Sequence, residues 1–372
     1  MKLIRIPYCI LIGFLLNLNC GTPKSNSGSG SKDVLSVRDL QPYGRTFITK
    51  DDKLGLISSA VHFGFSFEGK ECQFYASPEN GQDHNYLQYE LDGVYQKRIR
   101  VSKGNNKPFT ISADKEGRHT VWIYKATEAH SGNIYIGAVN GKNLESIKPS
   151  NAPLIEFIGN SITCGAAADP SEIPCGAGEY HDQHNAYMAY GPRVARALNT
   201  NFIMSSVSGI GIYRNWNSDG PTMPQVYEKT DFQIEHTGMW DFRIYKPKIV
   251  SIALGTNDLS NGDGKKQRLP FDSVQFVNNY IKFLQLVRSK YPDAKIALLS
   301  SPMMNGNRRE LLQNCLTTIK QAADALWGKE AKIETYFFKP MQARGCTGHP
   351  NVEDHAIIAE ELIPFFKNLL KD

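Results

Sequence analysis

Ser161, His349 and the small-residue clusters between them are the stretches of this sequence best suited to do chemistry. Ser161 stands at the end of Leu154-Ile155-Glu156-Phe157-Ile158-Gly159-Asn160, a short apolar run that breaks at Gly-Asn. A buried strand that stops at glycine holds the next hydroxyl clear of the sheet, where a base and a substrate carbonyl can both reach it. Gly-Asn-Ser alone is also ordinary turn chemistry, so the weight falls on the residues downstream of it. Ser208-Gly209 ends a second apolar run, Gly255-Thr256-Asn257-Asp258 a third, and Gly348-His349-Pro350 precedes a final helical stretch. Acyl transfer needs a nucleophile, a base within hydrogen-bond reach, and donors for the developing oxyanion. Ser161 and His349 supply the first two. The backbone N–H groups of Ser161 and Gly209 and the side-chain amide of Asn257 supply three donors, and glycine at 209 lets backbone approach a ligand closely.

These residues need a scaffold that delivers them to one place. From residue 151 to 372, apolar runs at 154–158, 201–207, 248–254, 294–299 and 332–338 alternate with helical patterns at 192–198, 274–291, 310–327 and 352–370. Strands alternating with helices predict a parallel sheet covered on both faces. In such sheets the sites lie at the carboxyl ends of the strands, where Ser161, Gly209 and Asn257 fall.

The preceding part, 33–148, has a different texture. Thr120–Ala126 and Asn133–Val139 are rich in β-branched and aromatic residues, while Tyr86–Leu91 and Lys97–Val101 alternate apolar with polar. Turn signals such as Asp92-Gly93 and Glu116-Gly117 recur at the spacing of a small antiparallel β-sandwich. Its aromatics, Tyr75 and Tyr86 among them, suit stacking on sugar rings, and they suit strand pairing and core packing better.

The chain of 372 residues is 41% hydrophobic, enough for two cores. Its formal charge of +5 is spread without a basic block, so a phosphate footprint for nucleic acid is missing. At the N-terminus, Lys2 and Arg5 precede the short apolar core Ile10–Leu16, as in a signal peptide. It closes on Leu18-Asn19-Cys20-Gly21 and resembles a bacterial lipoprotein signal, residues 1–20, with Cys20 lipidated after cleavage. Asn17 and Asn19 depart from that pattern, and ordinary cleavage nearby is the alternative; both imply export. Residues 21–32 are a Gly/Ser-rich tether. Beyond it stand Cys72, Cys164, Cys175, Cys315 and Cys346, an odd number that leaves at least one free thiol. The short separation of Cys164 and Cys175 suggests a bridge; five small buried hydrophobes fit the sequence equally.

Gly-Asn-Ser, Ser-Gly, Gly-Thr-Asn-Asp and His-Pro, in that order, resemble the four blocks of the SGNH (GDSL-type) hydrolases. More narrowly, the chain resembles carbohydrate esterase family 2. Tyr124–Glu128, Met223–Tyr227, Trp240-Asp241-Phe242, Gly345-Cys346 and His355 fit that resemblance. It implies a three-layer α/β/α SGNH hydrolase domain preceded by an all-β, jelly-roll-like sandwich. It also implies an enzyme that removes acetyl groups from plant-type polysaccharides such as xylan or mannan, with no metal or organic cofactor. The membrane would be touched only through Cys20. Trp240, and more weakly Trp216, are the aromatics it places on substrate; simple packing on the sheet is the competing role for both.

The pattern departs from the family at one point. Most SGNH enzymes carry an aspartate three residues before the histidine, and some two before; here Cys346 and Thr347 occupy those positions. The resemblance allows a Ser–His dyad with a main-chain carbonyl on the imidazole, adequate because orienting the tautomer is the third member's main task. Glu353 and Asp354 read as the acidic first turn of the last helix, His355 as structural, and Asp258 as a turn carboxylate. His181-Asp182-Gln183-His184 reads as a loop bordering the cleft, since no third metal ligand is visible. An SGNH lipase or thioesterase acting on other small esters, and a non-catalytic glycan-binding lipoprotein, are the alternatives.

Overall fold

The computed structural model describes residues 32–148, 150–235, 238–328 and 333–371. The signal segment, most of the tether and Cys20 lie outside the described residues. From Lys32 onward the chain forms one compact unit built on two sheets.

The first sheet is antiparallel. Its strands are β1 (Val34–Leu35), β2 (Thr46–Ile48), β3 (Leu54–Leu56), β4 (His62–Pro78), β5 (His84–Leu91), β6 (Val94–Ser102), β7 (Phe109–Ser112), β8 (Arg118–Lys125) and β9 (Ile134–Ser146). Hydrogen bonds join them in the order β2-β3-β9-β4-β8-β5-β6, with β1 on β9 and β7 on β4. β4 and β9 pair with register shifts between Ser66 and Glu68, Glu68 and Gln73, and Phe74 and Ala76, and such bulges bend a ribbon. The bending lets one continuous sheet close over one core. Phe63, Phe65, Phe67 and Phe74 of β4 meet Leu87, Val101, Ile111, Val121 and Ile136 there. Tyr75 points outward, 43% exposed, but Tyr86 is buried under the Arg98 guanidinium, 4.5 Å from its ring centre, and offers no sugar platform.

The second sheet is parallel, with β10 (Leu154–Gly159), β11 (Asn201–Ser206), β12 (Ile249–Ala253), β13 (Lys295–Leu299) and β14 (Ile333–Tyr336) in the order β11-β10-β12-β13-β14. β10 and β13 are buried along their whole length, as apolar runs covered on both faces must be. The helices are α1 (Ser161–Cys164), α2 (Tyr190–Ala197), α3 (Met223–Val226), α4 (Ser273–Lys290), α5 (Gly306–Trp327) and α6 (Val352–Lys371). On one face Phe276, Tyr280, Leu316 and Ile319 of α4 and α5 cover Val250, Ile252 and Ile296. On the other, Val194 of α2 and Ile358, Leu362 and Phe366 of α6 cover Ile155 and Phe157. α2 begins two residues ahead of Pro192, because a first-turn proline has no helical N–H to lose. Strand order reverses between β10 and β12, where open α/β sheets place their ligand crevice. Among the described residues no helix is long and apolar enough to cross a membrane.

The sheets share side chains. Arg45 is buried at 1% exposure and donates to the main-chain carbonyls of Lys229 and Tyr227, the latter at 2.8 Å. Gln88 donates to Asn185 Oδ1 at 2.6 Å and accepts from the Tyr187 N–H at 3.1 Å.

Candidate active site

Gly159 ends β10 where a Cβ would lie 2.0 Å from Thr163 Oγ1, so only glycine lets the chain turn directly into α1. Asn160 caps that turn, its Oδ1 accepting from the Ile162 N–H at 3.1 Å. The turn presents Ser161 at the switch point. After β14 the chain returns through the short helical turn Cys346–Gly348 and places His349 opposite. His349 Nε2 lies 2.8 Å from Ser161 Oγ across 188 residues of sequence. For Nε2 to accept the serine proton, Nδ1 must carry the ring hydrogen. It donates to the Cys346 carbonyl at 3.3 Å, with Thr347 Oγ1 also at 3.1 Å. A main-chain carbonyl and a hydroxyl therefore stand where the family pattern has a carboxylate. Asp354 is occupied elsewhere, accepting from Arg344 Nε at 2.7 Å and from the Asn351 N–H at 3.1 Å. His355 is fully buried against Tyr190.

Ser161 and His349 open into a cavity of about 540 Å³ lined also by Tyr180, Ser208, Gly209, Trp216, Asn257 and Met303. Gly209 adopts φ +75°, a left-handed conformation that glycine takes freely. Asn257 donates one amide hydrogen to the Ile210 carbonyl at 2.8 Å, which holds the group in place and leaves its second hydrogen for the cavity. Asp258 fixes the same loop from behind, accepting from the N–H groups of Ile212, Tyr213 and Arg214 at 2.9–3.2 Å. Burial raises its carboxyl to about 6. The expected turn role of Asp258 is what the geometry shows.

Burial lowers His349 from the ordinary histidine value of 6.5, outweighing the Cys346 carbonyl that pulls it up. The imidazole is thus kept neutral, in the form able to take a proton.

Two expectations are revised, the substrate contact of Trp240 and the Cys164–Cys175 bridge. Trp240 does not reach the cavity: it is 7% exposed, stacked on Tyr245 at 6.0 Å, with the Arg45 guanidinium 5.2 Å from its ring centre. A buried guanidinium needs aromatic faces around it, and that need claims Trp240. Trp216, 43% exposed, does line the cavity. Cys175 is bonded to Cys346, not to Cys164, which is buried with its thiol 3.2 Å from Ser206 Oγ. The bridge fastens the loop after Ser161 to the turn whose carbonyl holds His349. Replacing Cys175 by serine should cost about 2–5 kcal/mol of stability, since a long loop is closed. An unchanged urea midpoint in non-reducing buffer would show that the bridge is not formed.

The sequence did not reveal Glu128, although it lies in the Tyr124–Glu128 stretch. It follows β8 in the antiparallel part and is buried beneath the cleft, where its Oε2 accepts the Ser208 N–H. Burial works to raise its carboxyl, but His184, 3.7 Å away, and the Ser208 N–H hold it down to about 2. An anion fixed there sets the main chain that leads into Gly209.

Residues 43–149 match the carbohydrate esterase 2 N-terminal model, and residues 157–340 the GDSL-like lipase/acylhydrolase family. A cellulase/esterase of Acetivibrio thermocellus is 31% identical over 300 residues, 77% of this chain but only 34% of that longer protein. An acetylxylan esterase/glucomannan deacetylase of Cellvibrio japonicus is 26% identical over 315 residues, 82% of each chain. A solved family two carbohydrate esterase from Clostridium thermocellum, in complex with cellohexaose, superposes with a TM-score of 0.77 at 26% identity. That match covers 91% of this chain and 99% of the other. With both parts of the chain matched in order and the antiparallel and parallel sheets following one another, the chain belongs to family 2 of the carbohydrate esterases.

Proposed function

We propose that the protein is an exported O-acetyl esterase that deacetylates plant-type polysaccharides or oligosaccharides such as xylan and mannan through a Ser161–His349 dyad. The observation that carries the reading is the 2.8 Å contact of His349 Nε2 with Ser161 Oγ at the wall of an open cavity. Ser161 Oγ attacks the acetyl carbonyl carbon as His349 takes its proton. The N–H groups of Ser161 and Gly209 and the Asn257 amide receive the oxyanion. Collapse breaks the bond to the sugar oxygen, which leaves with the proton from His349. Water, deprotonated by His349, then attacks the acetyl-enzyme, and acetate departs as the proton returns to Ser161. Trp216 offers its exposed ring to the sugar.

The division into signal (1–20), tether (21–32), sandwich (33–148) and hydrolase (151–372) belongs to the same proposal. So does the lipid on Cys20, which would hold the enzyme at the cell envelope with the tether as spacer.

Acetate release from acetylated xylan, acetylated mannan and an aryl acetate tests the activity. Because neutral His349 is the working form and its titration is displaced downward, kcat/KM should rise with pH through a midpoint below 6.5 and stay level above it. A midpoint above 6.5 would contradict the assigned base. A protein that is inert on all three esters yet binds the glycans would be a binding module instead.

A further inference from the structure

A second cluster of reactive side chains lies where β5 meets the loop after Ser161. His84 opens β5, and His181 and Asp182 sit in the helical turn Tyr180–Gln183. One donor atom from each lies within 4.8 Å of the other two. His84 Nε2 is 2.5 Å from Asp182 Oδ1, and Asp182 Oδ2 accepts the Glu179 N–H at 2.7 Å. The His84 and His181 ring centres are 4.8 Å apart, tilted by 38°. His181 Nε2 is buried there without a hydrogen-bond partner. A His–Asp pair accounts for two members of the cluster. It does not account for the buried, unpartnered Nε2 of the second imidazole, because buried polar atoms are ordinarily satisfied.

We propose that His84, His181 and Asp182 bind a zinc ion that clips the antiparallel part of the chain to the cleft loop. Two imidazoles and one carboxylate are a zinc donor set, with bonds of about 2.0–2.2 Å and a fourth position left for water. Calcium requires about six to eight oxygens, and the cluster offers one carboxylate. Bonds of that length place tetrahedral donors roughly 3.3 Å apart, so His181 swings inward and the His84–Asp182 contact opens slightly.

Two guanidinium groups stand nearby and oppose a cation. Arg98 donates to the main-chain carbonyls of Asp182 and His184 at 2.6 and 3.0 Å and pairs with Glu172 at 3.1 Å. Arg100 donates to the Tyr86 hydroxyl at 3.2 Å. Their charge weakens the site. What it would hold is relevant to the cleft. The residue before His181 is Tyr180, whose hydroxyl lies 3.4 Å from Ser208 Oγ and whose ring stands 6.2 Å from His349.

The test uses the full chain, stripped with chelator and titrated with zinc chloride by calorimetry, with metal content measured after dialysis. One zinc per chain is expected, with Tm raised by about 3–6 °C at a hundredfold excess over Kd. His181→Ala should lose at least about 100-fold in zinc affinity, as loss of one of three ligands implies. Its metal-free circular dichroism should match wild type, and because the ring also packs on His84 and Tyr86 its zinc-induced Tm shift is read against its own metal-free Tm. His119→Ala, on β8 outside the cluster, should bind as wild type does. The proposal is overturned if wild type takes up no stoichiometric zinc, if His181→Ala binds it equally well, or if calcium chloride gives the same Tm shift.

Discussion

Ser161→Ala and His349→Ala are each expected to lower kcat for acetate release by about 10⁴–10⁶-fold, and the double variant by no more than the worse single one. The two residues act as one unit: without the base the hydroxyl is a poor nucleophile, and without the hydroxyl the base has nothing to activate. Glycan binding should survive, because the cavity wall formed by Trp216, Gly209 and Asn257 is untouched. Steady-state kinetics on acetylated xylan, with binding measured separately, decides the matter. Loss of only a few fold in Ser161→Ala would dismiss the dyad, and strictly additive losses would mean that the two residues work apart.

Asn257→Ala should lower kcat by about 10²–10³-fold while KM moves by a few fold at most. The amide hydrogen it offers meets charge that exists only once the carbonyl carbon has become tetrahedral. The same substitution removes the bond to the Ile210 carbonyl, so Tm must be read alongside the kinetics. Asn257→Asp supplies the control: it keeps the shape but brings an acceptor and a negative charge toward an oxyanion, and should be at least as damaging. If Asn257→Ala keeps wild-type turnover with an unchanged Tm, the third donor is elsewhere.

Much of this arrangement is legible in the sequence for a definite reason. In a parallel sheet covered on both faces, each strand is a run of apolar residues and each strand end is where polar chemistry begins. Ser161, Gly209 and Asn257 therefore announce themselves by standing just past Ile158, Val207 and Leu254. Cys346 and Thr347 show in the sequence that the usual carboxylate is missing, but the Cys346 carbonyl that meets His349 is seen only in the structure. The features that escape depend on long-range meetings. Cys175 finds Cys346 over a separation of 171 residues, whereas nearness in sequence favours Cys164. Trp240 is held by Arg45, which comes from the bend ahead of β2, and nothing near Trp240 signals that it will arrive. Glu128 sits in the loop after β8, far from the cleft residues in sequence, and His84 is likewise inconspicuous until β5 brings it to Asp182. The single continuous antiparallel sheet is hidden for a similar reason: register shifts in β4 and β9 leave little trace in residue type.

The Arg45 side chain has a consequence for how the protein can be divided. Glu156 lies on β10 of the parallel sheet, fully buried, with Ser205 Oγ donating to it at 2.6 Å and the Tyr227 hydroxyl at 3.0 Å. Its charge-balancing neighbour is Arg45, from the bend just ahead of β2, and each pulls the other toward its charged form against burial. A hydrolase excised at residue 150 would keep the buried carboxylate and lose the cation, the kind of uncompensated charge that costs about 3–5 kcal/mol. It would also lose Glu128 from beneath Ser208. The conventional picture of a detachable accessory module in front of an autonomous enzyme does not fit this chain. Its two sheets would be inherited, expressed and shuffled as a single piece.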